Sequence, residues 1–310
     1  MKHIAFTIDE KFVRFCAVTM VSILEHNTPA ADVTFHIVTD GIGQGSRDIL
    51  SQLASRYGAA VAFYTVRPEA MHGYSIRWEG QRLSMVVFYR CLLASLLPQS
   101  VSKVLYLDCD ILVLDNIDEL WNTDLSDKAL AAVPDSFTVN RSHCKRLQYD
   151  VSYNYFNGGV LLLNLDYWRK NAIEEKCREY YSQYPDRVIY NDQDLLNGLL
   201  HGCKVLVDMK WDVQEGAYRM PKDKKPGWVP SYADTILHPS ILHYSARKPW
   251  QYHCMHPLRH LFFKYQDLTP WKGENVLNSR WTRFHRFVHL LPYTLRLKRW
   301  KYIDLDKIKA

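Results

Sequence analysis

Short apolar runs alternate with amphipathic stretches along the first third of the chain. The runs with the length and β-branched content of buried strands lie at residues 4–8, 33–38 and 60–66. Apolar side chains recur at helical spacing at residues 11–26, 46–57 and 84–97. This alternation predicts an α/β fold with a mainly parallel sheet and helices on both faces. Ligands of such sheets bind beyond the carboxyl ends of the strands, so a site is expected there.

The next predicted strand contains two closely spaced carboxylates. Residues 102–114 form an apolar, β-branched-rich run that is interrupted by Asp108 and Asp110. On an extended chain, residues i and i+2 point to the same side, so these two carboxylates are expected to converge. Carboxylates held that close repel each other unless a cation or a proton lies between them. A hard divalent cation suits the pair, and its remaining positions suit a diphosphate, which predicts a metal-dependent enzyme acting on a phosphorylated small molecule.

The second half of the chain is less regular. Apolar runs predict strands at residues 129–133, 160–165, 204–207 and 240–244, and helical spacing predicts helices at 166–184 and 192–200. The 310 residues, 47% of them hydrophobic, are enough for one large α/β domain with an appendage or for two modest domains.

The cysteines and the N-terminal residues bear on the compartment. Seven scattered cysteines lie mostly in apolar contexts, which predicts reduced core thiols in a cytoplasmic protein. The first residues do not have the pattern of a secretory signal, and no apolar run reaches the length of a membrane span.

The last forty residues of the chain are basic and aromatic. Residues 271–310 carry ten Lys or Arg and three Asp or Glu, so the net charge of +6 is concentrated there. Basic residues mixed with Trp, Phe and Tyr suit an anionic membrane surface. The alternative is a basic amphipathic helix packed on the domain. No nucleic-acid motif accompanies these charges, so no nucleic-acid partner is predicted.

Further polar groups lie where predicted elements begin or end. Asp9 follows the first strand, where its carboxylate suits either a contact with a nucleoside or the N-cap of a helix. Asn157 precedes two glycines, which suit close backbone approach to a ligand or a β-bulge. Asp192 and its neighbours lie at the start of a helix, where their side chains suit either hydrogen bonds to sugar hydroxyls or capping of that helix. His243 ends a strand shortly before Lys248; a lone histidine is usually structural, but this pair also suits a metal ligand beside a phosphate-binding cation.

These motifs together resemble those of glycosyltransferase family 8. The matching segments are Leu-Tyr-Leu-Asp-Cys-Asp at 105–110, Tyr-Phe-Asn-Gly-Gly-Val-Leu-Leu-Leu-Asn at 155–164, Asn-Asp-Gln-Asp-Leu-Leu-Asn at 191–197, and His-Tyr at 243–244 with Lys-Pro-Trp at 248–250. The likeness is closest to bacterial lipopolysaccharide α-galactosyl- and α-glucosyltransferases, more distant to glycogenin, and runs from about residue 3 to Trp250.

The resemblance implies a GT-A fold, with a Rossmann-like mixed, mainly parallel sheet, and a retaining hexosyltransferase. The expected donor is UDP-galactose or UDP-glucose, and the expected acceptor is a saccharide or a lipopolysaccharide-like glycolipid that receives an α-linked sugar. The expected cofactor is Mn²⁺, with Mg²⁺ as the alternative, because one nitrogen ligand beside oxygens favours Mn²⁺. The expected division is a catalytic domain at 1–265 and a basic, aromatic C-terminal tail at 266–310 that attaches the enzyme to the inner face of the cytoplasmic membrane.

The resemblance also implies a role for individual residues. The implied metal ligands are Asp108, Asp110 and His243. The implied donor contacts are Thr7, Asp9 and the backbone of Cys109 for uridine, Lys248 for the diphosphate, and Arg90, Asn157, Gly158, Asp192 and Gln193 for the sugar. Asp135 is implied near the acceptor or the sugar. A two-step route needs a nucleophile, for which Gln193 is the candidate by position and Asp192 by chemistry, whereas a front-face substitution needs neither and is favoured.

The sequence departs from the family pattern in two places. Asp9 is followed by Glu-Lys-Phe rather than the family's Asn-Tyr, a difference at the residues that would contact uracil. The loop from His243 to Lys248 is one residue shorter than in the family and lacks its glycine. Arg247 is expected to compensate for that glycine by charge. Two other functions remain open at this point: a non-catalytic nucleotide-sugar binder, and a phosphatase of the haloacid dehalogenase type. The phosphatase is disfavoured because Leu112 stands where it expects Thr or Val and no Asp-Asp pair occurs.

Overall fold

A seven-stranded sheet forms the centre of the computed structural model, which describes residues 1–76, 84–136, 140–224 and 228–308. The strands are β1 (Lys2–Ile8), β2 (Val33–Thr39), β3 (Ala60–Thr65), β4 (Lys103–Leu107), β5 (Ile111–Val113), β6 (Leu130–Pro134), β7 (Phe156–Asn164), β8 (Lys204–Leu206), β9 (Val213–Gln214) and β10 (Ile241–His243). The order in the large sheet is β3-β2-β1-β4-β7-β6-β8, and β7 alone runs antiparallel to both of its neighbours. The predicted mixed, mainly parallel sheet is confirmed.

Twelve α-helices surround the sheet in the part of the chain that is described. They are α1 (Val13–His26), α2 (Gln44–Ser55), α3 (Leu93–Leu96), α4 (Asp118–Trp121), α5 (Asn140–Leu147), α6 (Leu165–Lys170), α7 (Ile173–Gln183), α8 (Asn191–Leu200), α9 (Ala233–Leu237), α10 (Arg259–Gln266), α11 (Arg280–Thr294) and α12 (Leu305–Ile308). Two helix predictions were wrong in detail. Residues 84–97 form a 3-10 helix, Met85–Leu92, before the short α3, and residues 166–184 are divided between α6 and α7 at Ala172, whose φ is +50°.

Helices cover both faces of the sheet because alternate side chains of each strand point to opposite faces. Ile4 and Phe6 of β1 pack in the cluster that contains the buried side chains of α1, α2 and α10. Ala5 packs in the cluster on the other face, which contains buried side chains of α3, α6, α7 and α8. Burial of a large apolar side chain contributes about 1.5–3 kcal/mol, so both layers are stabilised mainly by this packing.

A second, three-stranded sheet with the order β5-β10-β9 lies next to the carboxyl end of β4. The chain leaves the large sheet after Leu107 and enters the small sheet at Ile111, so Asp108 and Asp110 lie just past a strand end, as predicted, but in a turn rather than on an extended chain. In the small sheet, His243 pairs with Ile111, and Tyr244 N donates to Asp110 O at 3.0 Å. The register therefore places His243 beside the aspartate pair.

The C-terminal residues include a helix with exposed aromatic side chains. In α11, Trp281, Phe284 and Phe287 are 67%, 57% and 61% exposed. Residues 309–310 of the predicted tail lie outside the described residues, and the predicted boundary at residue 265 stays a prediction. Among the described helices, none combines the length and apolarity needed to cross a membrane. All seven cysteines are free thiols, and six of them are buried.

Candidate active site

Two carboxylates and an imidazole converge where the two sheets meet. One ligand atom from each of Asp108, Asp110 and His243 lies within 4.8 Å of the other two. Backbone pairing holds the group in place, since Asp108 N donates to Gly159 O at 2.9 Å. The sequence predicted this set, and the structure brings all three residues together.

A third acidic residue, Asp212, orients the imidazole and was missed from the sequence. His243 Nδ1 lies 2.9 Å from Asp212 Oδ1, and Asp212 is fully buried. Since Nδ1–H donates to Asp212, Nε2 is the ring nitrogen that faces Asp110 Oδ1, 3.4 Å away. Gln214 Nε2 donates to Asp212 Oδ2 at 3.1 Å, which fixes the carboxylate in turn. Asp212 precedes a strand of only two residues, β9, so no periodic pattern marked it.

Opposite charges stabilise one another at this centre. Burial raises the pKa of Asp110, but Lys248 and His243 outweigh it and hold that pKa well below its usual range. Burial lowers the pKa of His243, but the carboxylates of Asp212 and Asp110 raise it to about 10. Asp108 Oδ2 accepts no hydrogen bond from any described residue, because Tyr106 and Arg90 both donate to Oδ1. The carboxylate and imidazole atoms therefore fit a divalent cation with oxygen and nitrogen ligands.

Arg90 links the aspartate pair to the next part of the site. Its Nη2 lies 3.0 Å from Asp108 Oδ1, its Nε lies 3.0 Å from Asp192 Oδ2, and its Nη1 donates to Gly158 O. The guanidinium stacks on the ring of Tyr106 at 4.3 Å. Burial lowers the pKa of Arg90, but Asp108 and Asp192 raise it above its usual value. A charge this buried requires paired carboxylates, and together with the bond to Gly158 and the stacking on Tyr106 they hold the Arg90 side chain in place.

A network of amides and one carboxylate lies on the other side of Arg90. Asp135 Oδ2 accepts from Asn157 Nδ2 at 3.1 Å and from Gln193 Nε2 at 2.9 Å. Gln193 Oε1 accepts from Gly158 N at 2.9 Å, and Asn157 Oδ1 accepts from Gly159 N at 2.8 Å. Both ends of the Gln193 amide are therefore fixed in orientation.

Gly159 is required by the close approach of the imidazole. A Cβ atom at residue 159 would lie 2.4 Å from His243 Cε1. The register of β6 against β7 shifts between Ala132 and Pro134, opposite this segment. The irregular strand pairing bears out the β-bulge interpretation, whereas close approach of this backbone to a ligand stays a prediction.

Asp192 is brought to the site by the start of α8. The carboxylate of Asp194, fully buried, accepts from Arg146 at 2.6 and 2.9 Å and from Ile189 N at 2.7 Å, which anchors this turn of the chain. Burial raises the pKa of Asp192 to about 7, although Arg90 lowers it and Asp108 raises it further. The alternative in which Asn191 or Asp192 is the N-cap of α8 is wrong, because the N-cap residue is Tyr190 and both residues lie within the first turn.

Two adjoining clefts contain all the predicted site residues. The larger, about 680 Å³, is lined by Arg90, Asp108, Asp110, Asp135, Asn157, Gly158, Asp192, Gln193, His243 and Lys248, among others. The smaller, about 240 Å³, is lined by Thr7, Asp9 and Cys109 and shares Arg90, Asp108, Asp110 and Lys248 with the larger. Their individual roles stay predictions. Asp9 also caps the following 3-10 helix, because its Oδ1 accepts from Lys11 N at 3.0 Å.

The loop after β10 closes the large cleft. Lys248 Nζ contacts Asp110 Oδ2 and donates to Tyr244 O at 2.9 Å, so the ammonium lies at the aspartate pair. Arg247 is exposed, and its Nη1 lies 3.1 Å from His253 Nε2. Its expected compensation for the missing glycine stays a prediction.

Comparison with known proteins decides the family. The family model described as glycosyl transferase family 8 matches residues 3–254. The chain belongs to glycosyltransferase family 8. The large sheet, the aspartate pair at the end of β4 and the polar cleft are thus those of a family 8 glycosyltransferase.

Similar proteins support this assignment along most of the chain. General stress protein A of Bacillus subtilis is 28% identical over 89% of this chain and 98% of its own length. Lipopolysaccharide glucosyltransferase WaaO of Escherichia coli is 26% identical over 99% of this chain and 91% of its own length. Among solved structures, galactosyltransferase LgtC in complex with donor and acceptor sugar analogs is 28% identical, with a TM-score of 0.75 over 86% of this chain and 96% of that one. The GT-A-type fold predicted from the resemblance is confirmed.

Proposed function

We propose that this family 8 enzyme transfers galactose or glucose from a UDP-sugar to a saccharide or a lipid-linked acceptor of the lipopolysaccharide type, with retention of the α-configuration. The observation that carries the proposal is the junction of the two clefts. There, the Asp108–Asp110–His243 centre separates a pocket lined by Thr7 and Asp9 from the larger polar cleft. The glucosyl- and galactosyltransferase relatives support a hexose donor.

Asp108, Asp110 and His243 are the proposed ligands of Mn²⁺, with Mg²⁺ as the alternative. Their donor set of two carboxylates and one imidazole favours Mn²⁺ over Mg²⁺, since Mg²⁺ prefers oxygen ligands alone. When bound, such a cation neutralises charge that develops on the leaving diphosphate. Asp212 maintains the Nδ1–H tautomer of His243, which directs Nε2 into the centre.

The smaller cleft is proposed to hold the uridine of the donor. Thr7 Oγ1 lies 3.1 Å from the hydroxyl of Tyr106, which also donates to Asp108 at 2.7 Å, so the nucleoside pocket and the metal centre are connected. Asp9 and the backbone of Cys109 line the same pocket. Lys248 lies at the boundary of both clefts, where its ammonium is suited to a phosphate oxygen.

The larger cleft is proposed to hold the donor sugar and the acceptor. Arg90, Asn157, Gly158, Asp192 and Gln193 are suited to hydroxyl groups of the sugar. Asp135 joins the amide groups of Asn157 and Gln193, so it maintains the shape of the pocket in which acceptor and sugar meet. We favour front-face substitution, in which the leaving phosphate accepts the acceptor's proton. Gln193 is an amide and a weak nucleophile, and Asp192 is engaged by Arg90.

The proposal predicts that the protein releases UDP from UDP-galactose or UDP-glucose in the presence of Mn²⁺. Slow hydrolysis by water reports donor use before the acceptor is known. We expect one of the two UDP-hexoses to be hydrolysed faster than UDP-N-acetylhexosamines, and the signal to disappear with EDTA. Binding of UDP without any release from a panel of UDP-sugars would favour the non-catalytic binder. Release of inorganic phosphate from sugar phosphates would favour the phosphatase.

The exposed face of α11 is the proposed attachment to the cytoplasmic membrane. Trp281, Phe284 and Val288 follow at helical spacing and are exposed, and Arg280 and Arg283 flank them. Exposed aromatic side chains beside cations are typical of helices that lie in a membrane interface. The proposed arrangement is a catalytic domain at 1–265 followed by the segment 266–310, of which the exposed face of α11 is directed to the inner face of the membrane.

Attachment predicts co-sedimentation with anionic vesicles. We expect the full chain to bind vesicles of phosphatidylglycerol and not of phosphatidylcholine at 0.1 M salt. The variant Trp281→Ser/Phe284→Ser should bind at least ~10-fold more weakly, because each buried aromatic ring contributes roughly 1.5–3 kcal/mol. The matched control is Phe12→Ser, an exposed aromatic residue outside the tail. Equal binding of all three proteins would exclude α11 as the attachment.

A further inference from the structure

A buried carboxylate, Glu215, connects the C-terminal residues to the loop that closes the cleft. Glu215 follows β9, and its side chain is fully buried. Its Oε1 accepts from Tyr302 Oη at 2.6 Å and from Arg219 Nη2 at 2.7 Å, and its Oε2 accepts from Arg247 N at 2.7 Å. One carboxylate thus binds groups from three separate segments of the chain.

Glu215 holds the loop between His243 and Lys248 from both sides. The backbone N of Glu215 donates to Ser245 Oγ at 3.2 Å, while the side chain accepts from the backbone N of Arg247. This is the loop that is one residue shorter than the family pattern and has no glycine. The next residue, Lys248, carries the ammonium at the aspartate pair. A small displacement of the Arg247 amide would therefore move the ammonium.

The C-terminal residues that reach Glu215 are built into the domain. Tyr302 forms an isolated antiparallel bridge with Arg219, Ile303 N donates to Tyr218 O at 2.9 Å, and Met220 N donates to Lys301 O at 3.0 Å. Tyr302 and Ile303 are buried in the same cluster as β1 and α1. Residues 301–303 therefore form a short edge segment along residues 218–220.

The charge of Glu215 makes these contacts strong. Burial raises its pKa, but the hydrogen bonds from Tyr302, Arg219 and the Arg247 amide lower it below the usual value, so the group is ionised. Hydrogen bonds to an ionised group contribute more than neutral ones, and loss of one donor leaves a buried charge less well satisfied.

We propose that Glu215 and Tyr302 are positioning residues of the donor site, through which the C-terminal segment holds the Ser245–Lys248 loop in the conformation that binds the donor diphosphate. The inference rests on the proposed function, because it assigns Lys248 to a diphosphate. It gives the last residues of the chain a role in donor binding that is independent of a membrane.

The experiment compares Tyr302→Phe with Tyr293→Phe in the full chain. Both variants lose one tail hydroxyl, but the hydroxyl of Tyr293 has no hydrogen-bond partner within the described residues, whereas that of Tyr302 binds Glu215. We expect Tyr302→Phe to weaken UDP binding in the presence of Mn²⁺ by ~3- to 10-fold, the effect of one hydrogen bond to a charged group that acts through a second residue. KM for the UDP-hexose should rise by the same factor with kcat within ~2-fold, and Tyr293→Phe should match the wild type.

A double variant tests whether both residues act through one path. Glu215→Gln keeps an oxygen for the Arg247 amide but removes the charge, and Tyr302→Phe added to it should weaken UDP binding by less than the product of the two single effects. If Tyr302→Phe lowers the melting temperature but leaves UDP affinity and KM unchanged, the residue is only structural and the inference is overturned. If the wild type binds no UDP with Mn²⁺, the proposed function fails and the inference fails with it.

Discussion

Replacement of Asp110 by asparagine is expected to lower metal-dependent UDP release and sugar transfer by about three orders of magnitude. The carboxylate contacts both His243 and Lys248, and loss of its charge removes one of three ligands and a partner of the ammonium. A bound cation supplies several kcal/mol of charge stabilisation at the leaving group, and each 1.4 kcal/mol is about tenfold in rate. The measurement is UDP release at saturating donor and 5–10 mM Mn²⁺, a range chosen as roughly a hundred times a typical site affinity.

The matched control is Asp124→Asn, which changes an exposed carboxylate away from the clefts. It should retain full turnover. Thermal unfolding of Asp110→Asn shows whether the loss is local, since the variant should fold without the cation. A folded Asp110→Asn protein that keeps more than a tenth of the wild-type rate would contradict the assignment of this residue as a metal ligand.

Asp212→Asn is expected to weaken metal binding at the same centre without removing a ligand. An asparagine retains an oxygen acceptor for His243 Nδ1 but lacks the charge that raises the imidazole's basicity. Loss of such an outer partner typically costs ~10- to 100-fold in metal affinity. The activity of Asp212→Asn should therefore return at high Mn²⁺, whereas that of Asp110→Asn should not.

The main sheet and the convergence of Asp108, Asp110 and His243 were predictable because the relevant signals are local. The run from Lys103 to Leu107 is continuous and apolar, and the aspartates follow it directly. His243 was found because it ends a strand and precedes Lys248. Predicted strand ends meet at one edge of a parallel sheet, so separate motifs could be assigned to one site.

The residues that hold these three side chains in place were not predictable, because the signals for them are not local. Asp212 and Glu215 flank a strand of two residues, which is too short to show a period. Their partners are His243, Arg247 and Tyr302, distant in sequence. The register of the small sheet brings His243 and the loop that follows it close, and the bridge between Arg219 and Tyr302 brings the C-terminal residues. The division of the predicted 166–184 helix was missed because Ala172, not a glycine, adopts the left-handed conformation there.

Asp192 and Gln193 allow the route of substitution to be tested. If substitution is front-face, neither side chain forms a bond to the sugar, and both act by holding it in place. We expect Asp192→Asn and Gln193→Ala each to lower kcat by ~10- to 100-fold, the usual cost of imperfect positioning. Removal of a true nucleophile costs about four orders of magnitude or more. A loss of that size in one variant, or a glycosylated side chain detected by mass spectrometry, would contradict the front-face route.

The pH dependence of stability distinguishes these two variants. Burial raises the pKa of Asp192 from 3.8 to about 7, so the folded protein holds a proton that the unfolded chain has already lost. Stability of the wild type should therefore fall as the pH rises from about 4 to 7, and this contribution is absent from Asp192→Asn. At pH 8, Asp192→Asn should melt at a higher temperature than the wild type, and this difference in melting temperature should be larger at pH 8 than at pH 5. The difference between Gln193→Ala and the wild type should not depend on pH. Equal melting differences at both values would mean that Asp192 is ionised in the fold throughout, through its pairing with Arg90.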